Sequence, residues 1–142
     1  MCGWVDSTRD HGGAVFIDLR DRYGKSQVVA APQGGAPLVE LASRCRSEDV
    51  ILATGRVALR PEGTRNDKLG TGEIELRASQ LVVLNKSETP PFTPGQPDMP
   101  GEDLRLKYRF LDLRRPEVQQ AMSFRSRIVK IMRDYFAEQD FL

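Results

Sequence analysis

A phenylalanine among charges is the first place in this chain where chemistry could happen. From Ala14 to Arg20 the residues alternate, with Val15, Ile17 and Leu19 in one row and Ala14, Phe16, Asp18 and Arg20 in the other. A strand buried on one side presents polar groups on its second side, and Phe16 breaks that rule just after Arg9. A ring held outward among arginines is a stacking surface for a flat, anionic partner. Single-stranded nucleic acid fits that description.

The elements around Phe16 must fix which way it points. Arg22-Tyr23-Gly24 supplies a turn, and Lys25–Ala30 reads as the strand that follows. If the turn pairs Arg20 with Lys25, then Asp18 faces Gln27 and Phe16 faces Val29. That register puts Gln27 and Val29 on the outer face with the ring. The Arg20/Lys25 pair is mildly unfavourable alone, and a docked polyanion would relieve it.

The rest of the first 85 residues completes a small barrel. Gly3–Thr8 reads as the first strand, Val50–Arg60 as the fourth and Glu73–Leu84 as the fifth. Ala36–Arg46 is helical, with Leu38, Leu41, Ala42 and Cys45 on one stripe, and Pro61–Gly72 is a polar loop. Five strands with a helix between the third and fourth is the order of an OB-fold, although other small barrels share the pattern. The expected fold class is mainly β, with domains at 1–85 (barrel), 86–103 (Pro-rich, extended linker) and 104–142 (a hinge and a long helix). After the Pro-rich stretch, Glu102–Leu113 reads as a short helical segment and Val118–Glu138 as a longer helix. There Phe124, Ile128, Ile131 and Tyr135 form an apolar row.

Composition limits the remaining choices. With 142 residues, 39% hydrophobic and 29% charged, the chain fits a globular protein, and a formal charge of +1 leaves any nucleic-acid binding to local patches. Two patches stand out: the hairpin with Arg9, Arg20, Arg22 and Lys25, and Leu104–Glu117, where basic residues interleave with aromatics. No run reaches the roughly 18 apolar residues of a membrane span. The start lacks a basic and apolar leader, and Cys2 and Cys45 have no metal-ligand spacing, so a reduced cytoplasmic protein without a metal site is expected.

Several segments then resemble one family: Cys2-Gly3-Trp4-Val5, Arg9-Asp10-His11-Gly12-Gly13, Phe16–Arg22, Gly72-Glu73-Ile74-Glu75 and above all Leu104–Glu117. Together they resemble the amino-terminal part of bacterial-type aspartyl-tRNA synthetases. The resemblance implies an anticodon-binding barrel in which Phe16 stacks on a base and Gln27 reads a base edge. It sets Arg9, Arg60 and Glu75 around the anticodon. Histidine at His11 with a small residue at Gly63 resembles the non-discriminating type, which charges both tRNA(Asp) and tRNA(Asn). Three positions depart from the pattern. Ser7 and Thr8 stand where arginines are common, and Val29 stands where an aromatic is common.

By the same resemblance, the intact protein is a homodimeric aspartate–tRNA ligase using ATP and Mg2+. Its catalytic residues are expected to lie outside this chain, so the chain alone should form no aspartyl-adenylate. The helix at 118–138 resembles the start of the first class-defining motif. Two other readings stay open: a standalone OB-fold module that binds single-stranded RNA without catalysis, and a structural barrel that dimerises through its helix.

Overall fold

Alternating side chains decide which way each strand faces, and the computed structural model describes residues 1–142. Strands β1 (Cys2–His11), β2 (Ala14–Arg20) and β3 (Lys25–Ala30) run as a meander, followed by helix α1 (Ala36–Ser43) and strands β4 (Val50–Leu59) and β5 (Ile74–Asn85). They close in the order β1-β2-β3-β5-β4, with β4 returning to pair with β1. The inward rows supply Val15, Ile17, Leu19, Val28, Ile51 and Leu76 to one core, and α1 caps it with Leu38 and Ala42.

β1 runs further than its sequence suggests. Arg9, Asp10 and His11 pair with Phe16, Val15 and Ala14, leaving a two-residue turn at Gly12-Gly13. Both glycines have positive φ (63° and 83°), as a type I′ hairpin turn requires. His11 is therefore the last residue of a strand rather than part of a loop. β3 has its expected ends, β4 and β5 shift by one residue, and α1 stops at Ser43, three residues before its expected end.

The β2–β3 register is the one the turn dictates: Arg20 opposite Lys25, Asp18 opposite Gln27 and Phe16 opposite Val29. The expected polyanion at Arg20 and Lys25 is not needed. Asp6 accepts a hydrogen bond from each of them, at 2.9 and 2.6 Å, and Glu48 accepts a second from Arg20 at 2.6 Å. Arg20 is buried, so it adds nothing to a surface patch. Three internal ion pairs neutralise what looked like an exposed basic pair.

The chain divides into two compact units, Met1–Pro90 and Pro91–Leu142. In the second, α2 (Glu102–Lys107) and α3 (Arg109–Asp112) are separated at Tyr108, whose φ of −110° and ψ of 49° break the helix expected to be continuous there. The α4 helix (Pro116–Glu138) starts on a proline, which suits a first helical turn. Its row of Phe124, Ile128, Ile131 and Tyr135 is exposed.

Asp49 ties the end of the barrel together. Only 1% exposed, its carboxylate accepts N–H bonds from Arg46 (3.0 Å) and Ser87 (2.8 Å), and Lys86 donates at 2.9 Å. Burial alone would push this carboxyl up. The two backbone donors and the Lys86 ammonium outweigh it and hold Asp49 below the usual carboxylate range. A depressed folded pKa gives stability that is present above the unfolded value near 4 and is lost as pH falls through the folded value. Asp49→Asn is expected to lower stability at pH 7 by about 1–3 kcal/mol. In urea melts between pH 7 and pH 3, the gap between variant and wild type should shrink toward the acid end. A gap that stays constant with pH would exclude this role.

Candidate nucleic-acid interface

A cleft of about 920 Å³ opens over the outer face of β2 and β3, bordered by the end of the β1–β2 hairpin and by the loop from β4 to β5. In OB-folds that face and those two loops form the usual surface for oligonucleotides. Six of the seven residues singled out from sequence line this one cleft: Arg9, His11, Phe16, Gln27, Arg60 and Glu75. They come from four strands and a loop edge, spread over 67 positions of sequence. Barrel closure alone brings them together.

Each side chain is held in a definable way. Phe16 is half-buried rather than fully outward, so the ring forms part of the cleft floor. Arg9 donates to Asp18 at 2.8 Å, and the Ser7 hydroxyl donates to the other oxygen of the same carboxylate at 3.0 Å. Asp18 thus aims Arg9 while the guanidinium remains half-exposed. Gln27 and Glu75 are not free surface groups; both are buried, and the Gln27 amide N–H donates to Glu75 at 3.2 Å. That bond presents the Gln27 carbonyl oxygen as the free acceptor of its amide.

Arg60 carries an unmet donor. Its Nε–H donates to the Ile74 carbonyl at 3.1 Å and Nη1 reaches the Thr64 carbonyl at 3.5 Å, but Nη2 is buried with no acceptor. An orphaned guanidinium nitrogen is costly, and an acceptor on a ligand would satisfy it. Gly63 does not line the cleft itself, although its neighbours Pro61 and Thr64 do. Its φ is 79°, at the third position of a turn closed by Thr64 N–H to the Pro61 carbonyl. A glycine there is therefore explained by backbone conformation, as in a type II turn. A Cβ at Gly63 would meet nothing within 4 Å, so space is available for a side chain that only the backbone disfavours.

Sequence reasoning missed Arg77, Arg65 and Asn66, which also line the cleft. Arg77 had a readable signal, since it lies two positions beyond Glu75 on the same strand face. Arg65 and Asn66 sit in an aperiodic loop that gives no such signal. The second basic patch turns inward on itself. Arg105 and Arg109 both donate to the buried Asp112, and Arg115 is buried next to Glu117. The Arg105 hydrogen bond holds the Asp112 carboxyl below its ordinary range despite burial. Burial pushes the Cys45 thiol up, and both cysteines are free.

A closed five-stranded barrel in this strand order, with a cleft on this face, is an OB-fold, and comparison with known proteins agrees. Residues 1–84 match the OB-fold nucleic acid binding domain, to which the chain belongs, and residues 101–142 match the class II tRNA synthetases (D, K and N). Among curated relatives, the chain is 64% identical over 143 residues to the aspartate–tRNA(Asp/Asn) ligase of Rhodopirellula baltica. It is 50% identical over 141 residues to the ligase of the same name from Halothermothrix orenii. These matches cover 100% and 99% of this chain but 24% of either relative, so the chain spans about a quarter of their length. The fold is also that of the aspartyl-tRNA synthetase of Entamoeba histolytica, with a TM-score of 0.85 at 18% identity over 100% of this chain and 34% of that one. An asparaginyl-tRNA synthetase from Pyrococcus horikoshii gives 0.80 at 24% identity, over 98% and 30%.

Proposed function

We propose that this chain is the anticodon-reading part of an aspartate–tRNA ligase, and that the cleft over β2 and β3 takes the unstacked anticodon bases. The convergence of Arg9, His11, Phe16, Gln27, Arg60 and Glu75 on that cleft carries the reading. Phe16 supplies the stacking surface for one base. The Gln27 carbonyl, oriented through Glu75, reads a base edge. Arg9, aimed by Asp18, meets the backbone, and the unpartnered nitrogen of Arg60 takes an acceptor from the RNA.

The intact protein, on this reading, attaches aspartate to tRNA(Asp) and tRNA(Asn), as the names of the relatives support. ATP and Mg2+ would bind in the catalytic part of the enzyme, beyond the quarter matched here. The exposed apolar row of α4 would pair two copies into a homodimer. A cytoplasmic location follows from the tRNA substrate, and no helix is long and apolar enough to cross a membrane. We assign residues 1–85 to anticodon binding, 86–103 to the linker and 104–142 to the start of the catalytic domain.

Two substitutions test the reading. Phe16→Ala should weaken binding of the aspartate and asparagine anticodon stem-loops alike, by at least about 1 kcal/mol each, measured by fluorescence anisotropy. Unchanged affinity for both would remove Phe16 from the interface. His11 sits at the strand end bordering the cleft, where it can relax the choice between two anticodons that differ at one base. His11→Leu should raise the ratio of aspartate to asparagine stem-loop affinity, and an unaltered ratio would reject the dual-specificity assignment.

A further inference from the structure

One row of side chains crosses the outer face of the whole barrel at a single level. Arg9 pairs with Phe16, Phe16 with Val29, Val29 with Arg77 and Arg77 with Arg56. The row holds one aromatic ring, one buried valine and three arginines. Opposite-strand arginines repel unless a carboxylate lies between them. Asp6 does this for Arg20 and Lys25, whereas in the Arg56/Arg77 pair the carboxylate of Glu75 reaches Arg77 alone.

Arg77 is built to present a flat surface. Its Nε–H donates to Glu75 at 3.1 Å, and Glu75 is itself held by Gln27. Hydrogen bonds to a guanidinium lie in its plane, so this one fixes the group by an edge and leaves its faces free. The side chain is 59% exposed and lines the same cleft as Phe16. Two strand spacings separate the two Cα positions, roughly 10 Å. Val29 lies between them, is 8% exposed and has no π surface to offer.

We propose that the Arg77 guanidinium is the second stacking shelf of the cleft, taking the base next to the one on Phe16, with Val29 as the floor between them. This rests on the cleft's being a single-stranded RNA site and adds to it a second base and the residue that holds it. A guanidinium plane stacks on any base, as an aromatic ring does. The Glu75 pin orients it beforehand, so little side-chain freedom is lost on binding.

Charge and plane can be separated by substitution. The full chain would be titrated with the aspartate anticodon stem-loop, and with the same RNA carrying one abasic site at each loop position in turn. Arg77→Ala and Arg77→Lys are both expected to weaken binding about fivefold or more. Arg77→Tyr, which keeps a flat face but loses the charge and the Glu75 bond, should stay within about threefold of wild type. One abasic position should abolish the difference between wild type and Arg77→Ala, and it should differ from the position that abolishes the Phe16→Ala effect. Wild-type affinity in Arg77→Lys, or a Tyr variant as weak as the Ala variant, would overturn the proposal and leave Arg77 a simple phosphate contact. If Phe16→Ala also has no effect, the RNA-binding reading of the cleft fails as a whole; if Phe16→Ala weakens binding while the Arg77 series does not, the second shelf alone fails.

Discussion

The parallel contact between β3 and β5 is the constraint on which the site depends. It consists of two paired positions, Val28 with Leu76 and Val29 with Arg77, joined across more than 40 residues of intervening chain. The hairpins on either side can form locally. This contact cannot, because a long segment must close before it is rewarded. Once made, it buries Val28 and Leu76 in the core and simultaneously sets Gln27 beside Glu75. The packing that closes the barrel therefore also orients the groups in the cleft.

Charge is handled differently inside and outside the cleft. Away from it, carboxylates gather cations: Asp6 and Glu48 hold Arg20 and Lys25, Asp49 holds Lys86, and Asp112 holds Arg105 and Arg109. Within it, carboxylates serve as aiming devices rather than full neutralisers. Asp18 directs a half-exposed Arg9, Glu75 directs Gln27 and Arg77, and Arg60 keeps a nitrogen without an acceptor. A net charge of +1 is compatible with anion binding because Arg9, Arg60, Arg65 and Arg77 all line one cleft.

Much of the barrel was legible from local signals. Period-two alternation separated Val15, Ile17 and Leu19 from Phe16, and the turn at Arg22-Tyr23-Gly24, by pairing Arg20 with Lys25, set the β2–β3 register. Chain order then implied which strands neighbour which. What local pattern could not carry was the state of the polar groups. Asp6 lies 14 positions from Arg20 and 19 from Lys25, and nothing near either cation foretold that one carboxylate would serve both. Likewise Gln27 and Glu75 read as exposed residues on two separate strands, and only closure across 48 positions made them a buried pair. Gly63 was read as a specificity position, and its positive φ supplies a backbone reason that the sequence does not display.

The central claim is that single-stranded RNA lies over β2, β3 and the β4–β5 loop. Heteronuclear NMR of the isotope-labelled chain, titrated with the aspartate anticodon stem-loop, tests it most directly. The account predicts that perturbations centre on the side-chain N–H groups of Gln27, Arg60 and Arg77 and on the amides of Phe16 and Val29, while α4 remains unshifted. Perturbations confined to α4 or to the opposite face of the barrel, with the Gln27 and Arg60 signals unmoved at saturation, would contradict it.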